Sequence, residues 1–303
     1  MNAFIRFRDD IRRYILSREM LFLKIWSALV AFIGLMCIKV NFGYNETISK
    51  WWISVLIALV CAFFPIQGVS IVLTIVLLID LLELGAQTAL VGLALVIVSY
   101  LVCAYFRSKN TYNVAMVPMC YSFNAPYVMA LGSGLLSNIN EICAVLCGSV
   151  TAYYLHIVKD NAAAIVDETS DVSVITLLNE QLLRSKMFYF FLVAMAAMFL
   201  VVYMLRQSNI NMSWIVANLV GVGVEFIIML AGYSLTSQKA EIPGLVLGNI
   251  FVIIVGIILN YFILDLDYSR IEKVQFEDDD YYYYVTAVPK IRIVEEEKEV
   301  KKI

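Results

Sequence analysis

The fold that the sequence predicts is an all-α polytopic transmembrane bundle. It has eight or nine spans, one segment that is Pro-broken or re-entrant, and a short β-prone C-terminal tail. Three observations lead there. The chain is 62% hydrophobic and only 16% charged, whereas a soluble domain carries nearer a quarter charged residues. Its mean hydropathy is +0.83. Charges are sparse between Leu21 and Leu264 and gather at the two ends, so the net charge of -3 reports topology and not a nucleic-acid partner.

Residues 1–19 place Phe4, Phe7, Ile11, Tyr14 and Ile15 at helical spacing, with Arg6, Arg8, Arg12, Arg13 and Arg18 on the other side. Such a basic amphipathic helix lies in the headgroup region, and the positive-inside rule puts the N-terminus in the cytoplasm. Residues 20–264 form the transmembrane domain. Its first span, Met20–Val40, ends in the polar loop NFGYNETISK, where Asn45-Glu46-Thr47 matches a glycosylation acceptor that is common by chance.

Trp51 and Trp52 open a second span reaching Phe64, and the break Pro65-Ile66-Gln67-Gly68 separates it from a third that ends at Leu84. Both are close to the lower limit of about 17 residues for crossing a hydrocarbon core. A fourth span, Thr88–Phe106, is followed by the cytoplasmic marks Arg107 and Lys109. Tyr112–Leu136 comes next, broken by Pro118, Asn124 and Pro126. In a bilayer, irregular backbone is tolerated only where protein buries it or it lines a cavity. This segment either crosses once, leaving the C-terminus outside, or dips in and returns, leaving the C-terminus cytoplasmic. Lys159, Arg184 and Lys186 favour a cytoplasmic 159–186 loop, and Arg270 and Lys273 favour a cytoplasmic tail, so the positive-inside rule supports both; a long charged tail with no evident reason for export favours the cytoplasm.

Glu141–Val158 is a further span. The stretch 159–186 is interfacial, with Val174, Leu178 and Leu182 at four-residue spacing, and Met187–Leu205, Met212–Leu235 and Leu245–Leu264 complete the membrane part. The tail, 265–303, is acidic and Tyr-rich. Tyr281–Val288 and Ile291–Val294 read as short strands around Pro289. SNIN occurs at Ser137–Asn140 and again at Ser208–Asn211, but the flanking residues do not align, so no duplicated half is inferred.

Ionisable groups inside a membrane are costly and therefore candidates for function. Glu225, midway along its span, is the foremost, and the glycines one turn before it would let another backbone approach. Asn218, two turns earlier on the same face, and Asn249 extend a polar stripe that Asn260 could join. Asn124 and Pro126 sit where a broken helix frees carbonyls and N–H groups to hold ions or anionic groups. These five residues, Glu225, Asn218, Asn124, Pro126 and Asn249, form the candidate substrate or ion site.

Asp80 and Glu83 read as interfacial, and His156, the one histidine, as an interface residue. The six cysteines lie in apolar segments and read as packers; Cys143 and Cys147 share a helix face without a second cluster to complete a metal site. No cofactor is indicated. Phosphate-loop, nucleophile-elbow and zinc-protease patterns are absent, and no nucleophile–base constellation can be assembled, so an enzyme is not expected.

The tail stretch LDYSRIEKVQFEDDDYYYYVTAVPKI resembles the C-terminal signature of an uncharacterised family of multi-pass membrane proteins from clostridial-type Gram-positive bacteria. FRSKNTYNVAMVPMCYSFNAPYVMALGSGLL is similar to that family's Pro-containing middle segment. The resemblance implies a bacterial plasma membrane and supplies no catalytic residue. Function is then expected to be small-solute transport, alone or as the membrane subunit of a complex with a separate ATPase. The alternative is a non-catalytic scaffold that recruits an envelope or secretion assembly through Tyr281, Tyr282, Tyr283 and Tyr284. Homo-oligomerisation is compatible with either.

Overall fold

The computed structural model describes residues 2–45, 50–166, 174–208, 212–236, 242–264, 272–277 and 282–287. Seven of its helices are long and apolar enough to cross a bilayer, and the chain is an integral membrane protein with a helical bundle fold. They are α2 (Glu19–Asn41), α4 (Ile66–Leu84), α5 (Ala86–Tyr105), α8 (Ile142–Asp160), α11 (Lys186–Arg206), α12 (Ser213–Leu235) and α13 (Ile242–Leu259). Leu101, Ile227 and Leu247 face outward, as side chains do when the surrounding solvent is lipid.

The shorter helices are α1 (Asn2–Ser17), α3 (Trp51–Cys61), α6 (Asn113–Ser122), α7 (Tyr127–Leu136), α9 (Ala162–Val166) and α10 (Val174–Leu178). The second expected span is thus truncated: α3 stops at Cys61 instead of reaching Phe64. In α1, Phe7 and Tyr14 are exposed, but Arg8 is buried, so the arginines do not all lie on the open side. Val174 is buried, while Leu178 and Leu182 pack on Leu84, Tyr154 and Val158.

Contacts between helix ends fix the path of the chain. The α3 helix returns along α2, so that Lys24 Nζ lies 5.3 Å from the Phe63 ring. Gln67 Nε2, at the start of α4, donates to the Lys109 carbonyl just beyond α5 (3.1 Å). At the opposite end, Asn45 N–H donates to Asp80 Oδ1 (2.8 Å), and Lys159 Nζ donates to Asn41 Oδ1 (2.8 Å). Tyr153 and Ser185 hydroxyls meet there at 3.2 Å, joining the end of α8 to the start of α11, and Ser185 Oγ caps α11 by accepting from Phe188 N–H. The turn after α13 packs beside α1, so both lie at the end of the bundle that carries Lys109.

The Pro-broken segment is a helical hairpin. Asn113, at the start of α6, donates through Nδ2 to Ser133 Oγ in the last turn of α7 at 3.0 Å. Asn110 Nδ2 donates to Ser137 Oγ at 2.7 Å. The segment therefore leaves one end of the bundle and comes back to it. Each arm has ten residues, and at 1.5 Å per residue it reaches about 15 Å, half the thickness of a hydrocarbon core of about 30 Å.

Pro118 does not break α6. The reversal lies at Phe123–Pro126, where Asn124 takes the left-handed conformation (φ 55°) that a short polar side chain tolerates. Pro126 immediately precedes α7, where a missing N–H costs nothing.

The hairpin joins two groups of helices. On the side of α6, Val30, Ala31 and Leu35 of α2 pack with Ala58 of α3, Leu73 of α4 and Met116 of α6. On the side of α7, Leu131 and Leu135 pack with Met195, Met198 and Phe199 of α11, Val222 of α12 and Val252 of α13. Close approach is possible at Gly148 of α8, where a Cβ would overlap the Asn113 carbonyl.

In the tail, β1 (Glu272–Glu277) pairs antiparallel with β2 (Tyr282–Ala287), with Val274 opposite Val285. The strand expected around Tyr281–Val288 thus pairs with the segment before it. Tyr281 and Ile291–Val294 lie outside the described residues, as do residues 167–173 of the long connection and Glu46 and Thr47 of the acceptor motif.

Candidate functional site

Glu225 sits at mid-length in α12 and is completely buried (0% exposed). Two further elements bring polar groups to it: α13 supplies Asn249, and α7 supplies the hydroxyl of Tyr127. Both of these residues are buried. The Asn249 amide and the Tyr127 hydroxyl come near the Glu225 carboxyl, but among the described residues no group meets hydrogen-bond geometry at either Glu225 oxygen or at either polar atom of Asn249. Four unpaired polar atoms thus face one another in the middle of a bilayer-sized bundle, where each costs on the order of 1–3 kcal/mol if left alone.

The geometry follows from how α12 and α13 run. They are antiparallel, so Glu225 lies level with Asn249 while Asn218 lies level with Gly256. Asn218 Nδ2 donates to the Ile253 carbonyl (3.3 Å), and its Oδ1 is unpaired among the described residues. Asn218 therefore serves the same interface two turns away from Glu225, as helix-to-helix glue. Asn260, in the irregular last turn Asn260–Leu264, is only partly buried and takes no part.

The hairpin tip meets this site from the other side. A Cβ on Gly248 would overlap the carbonyl oxygen of Asn124, so that glycine lets the tip rest directly on α13 beside Asn249. Pro126 then starts α7 such that Tyr127 is its first residue. Asn124 contributes its backbone carbonyl at this contact, and Pro126 acts through the direction it gives Tyr127. The glycines expected to admit a backbone near Glu225 do something else. Gly221 makes room for the Val202 side chain of α11, and Gly223 faces open space.

An aromatic series runs from the site to the bundle end that carries Asp160. Tyr127 and Tyr121 both pack on Phe191, at 6.0 and 5.6 Å between ring centroids. Tyr121 also lies 5.4 Å from the ring of His156. His156 is exposed and its Nε2 stands 3.3 Å from Asp160 Oδ2. On the far side of α6 is an apolar cavity of about 60 Å³ lined by Gly34, Leu73, Val96, Val114, Pro118 and Met119.

Asp80 departs from expectation. It is buried (1% exposed), because the loop after α2 folds over it and presents the N–H of Asn45; Glu83 stays exposed and accepts from Asn45 Nδ2 at 2.9 Å. The six cysteines are unpaired thiols, and among the described residues no three His, Cys, Asp or Glu side chains converge as metal ligands.

Two residues carry more than the sequence suggested. Tyr127 is one. Glu141, read only as a span boundary, is buried and accepts from Ser108 Oγ, from Lys109 N–H (2.7 Å) and from Asn110 N–H (2.9 Å). It ties the connection before the hairpin to the helix after it. Among the tail tyrosines, Tyr282–Tyr284 fall in β2.

Comparison with protein-family models, curated proteins and solved structures finds no match to this chain. The family resemblance of the tail and middle segments remains an expectation.

Proposed function

We propose that this protein is a small-solute transporter, or the membrane subunit of a transport complex, with its site where the hairpin tip meets Glu225. One observation carries the reading: a fully buried carboxyl with no hydrogen-bond partner among the described residues lies against the tip of a re-entrant hairpin. Packing alone does not explain such a group, because an apolar side chain of the same size would satisfy the core at less cost. Interrupted helices that end at mid-membrane are a recurring way for transporters to hold ions and polar solutes.

The topology we infer has the N-terminus in the cytoplasm, eight crossings with α3 as the short one, and the C-terminus on the same side. Arg8, Arg13, Arg18, Lys24, Arg107, Lys109 and Arg206 near one end of the bundle outnumber Lys39, Lys50, Lys159, Arg184 and Lys186 near the other, which supports that orientation. A bacterial plasma membrane follows only from the resemblance noted for the tail. A scaffold role has one supporting feature, the two-stranded β1–β2 hairpin, since an isolated hairpin can take up a partner strand along an edge.

The test is solute-evoked current across proteoliposomes challenged with amino acids, sugars and carboxylates. The wild type should respond to one class, and Glu225→Gln should abolish that response while expression and melting temperature stay unchanged. A current that survives in Glu225→Gln overturns the assignment of the site.

A further inference from the structure

We propose that Glu225 and Asn249 form a proton-operated latch between α12 and α13, closed when the carboxyl is protonated. The inference rests on the transport reading and names its coupling ion as H⁺. The argument is one of hydrogen-bond capacity. Glu225 and Asn249 together present four buried polar atoms, none with a partner among the described residues. A single proton satisfies all four. The new O–H donates to Asn249 Oδ1, and Asn249 Nδ2 donates to the other carboxyl oxygen, closing a cyclic acid–amide pair.

An ionised carboxylate can accept from Asn249 Nδ2 and from the Tyr127 hydroxyl, but it leaves Asn249 Oδ1 without a donor and a charge unpaired in the membrane interior. A sodium ion held by carboxylate, amide and hydroxyl oxygens is the competing occupant, and the exchange of potassium for sodium below separates the two. The titratable groups around the latch are tyrosines. Tyr127 of α7 faces the carboxyl, and Tyr121 of α6 and Tyr233 of α12 face Tyr127; no Lys, Arg or His among the described residues interacts with Glu225.

The step is a simple protonation. Water that reaches the site supplies the proton, and an O–H bond forms on Glu225. When the latch opens the same bond breaks and the proton returns to water. Because Gly248 holds the hairpin tip at Asn124, one residue from Asn249, opening the latch frees α13 and the tip together. Proton binding is thereby coupled to movement at the solute site.

The experiment is pH-difference infrared spectroscopy on the purified full-length protein in proteoliposomes. The wild type should show a carboxylic-acid C=O band that titrates, that is lost in Glu225→Gln, and that moves to higher frequency in Asn249→Leu. Exchanging potassium for sodium at constant pH should leave it in place. Glu225→Gln, which copies the neutral acid and can still pair with Asn249, should melt with the wild type at low pH, where the carboxyl is protonated, and above it at high pH, where the wild-type carboxyl ionises.

A spectrum in which no band is lost in Glu225→Gln overturns the latch, as does a band that sodium erases at constant pH. The readout needs no solute. A titrating band in a protein that moves no solute would refute transport and leave the latch standing, and loss of uptake without a band would do the reverse.

Discussion

Asn113 and Ser133 are twenty residues apart in sequence, yet their side chains hydrogen-bond at 3.0 Å, Nδ2 to Oγ. Asn113 starts the first arm of the Pro-broken segment and Ser133 lies near the end of the second, so the bond closes the mouth of a hairpin. A segment crossing the membrane once would set these residues at opposite ends. Everything argued about the site follows from this return, because it brings the tip, and not a helix flank, against α13 and Glu225.

Glu141 holds that mouth shut from outside, and its loss should be expensive. Glu141→Ala leaves Ser108 Oγ and the N–H groups of Lys109 and Asn110 without their acceptor. Hydrogen bonds to charged groups contribute about 1.5–3 kcal/mol each, so even partial replacement by water predicts a loss of about 2–4 kcal/mol. Thermal unfolding in detergent should show a clear fall for Glu141→Ala. The more conservative Glu141→Gln, which keeps one acceptor oxygen, should lie between the two.

Gly248 and Gly223 offer a matched pair. A methyl group at Gly248 meets the backbone carbonyl of Asn124, which cannot swing aside, whereas at Gly223 it meets nothing within 4 Å. Gly248→Ala should displace the hairpin tip and abolish solute-evoked current. Gly223→Ala should be neutral or slightly stabilising, since alanine is the better helix former by about 1 kcal/mol. Equal behaviour of the two variants in current and melting temperature would contradict the tip contact.

Asp80 should act as an acceptor, not as a charge on the surface. Asp80→Ala removes the acceptor of Asn45 N–H where the loop folds over α4, at about 1–3 kcal/mol. Asp80→Asn keeps an oxygen for that N–H and should retain most of the stability. The comparison is read from the melting temperatures of the two variants.

Much of this architecture is legible in the sequence because hydropathy reports it directly. Long apolar runs such as Lys186–Arg206 are visible without any knowledge of partners. Glu225 and Asn249 are visible for the complementary reason, that polar groups stand out where they are costly. Residues 113–136 are not decipherable in the same way. Laid out as one helix they would reach about 36 Å, enough to cross, so length cannot separate a crossing from a return. Only the pairing of distant residues decides it.

Tyr127 is hidden because it is one of 18 tyrosines, and a tyrosine beside a proline reads as an interface anchor. Asp80 is misjudged because its position near the end of a run suggests exposure, while the loop that buries it has no signature of its own. Gly221 and Gly223 show that a glycine in a span can mark a close contact, as with Val202, or none at all.

The most direct test of the central claim is the sidedness of the hairpin mouth. On a cysteine-free background, Lys109→Cys and Ile139→Cys place single thiols at exposed positions on either side of the segment. A membrane-impermeant maleimide applied to intact cells and to inverted vesicles reads which face each thiol occupies. The account predicts that both are labelled from the same face, the one that also labels a cysteine near the N-terminus. Labelling of the two from opposite faces would mean that the segment crosses the membrane, and would contradict the hairpin and the site built on its tip.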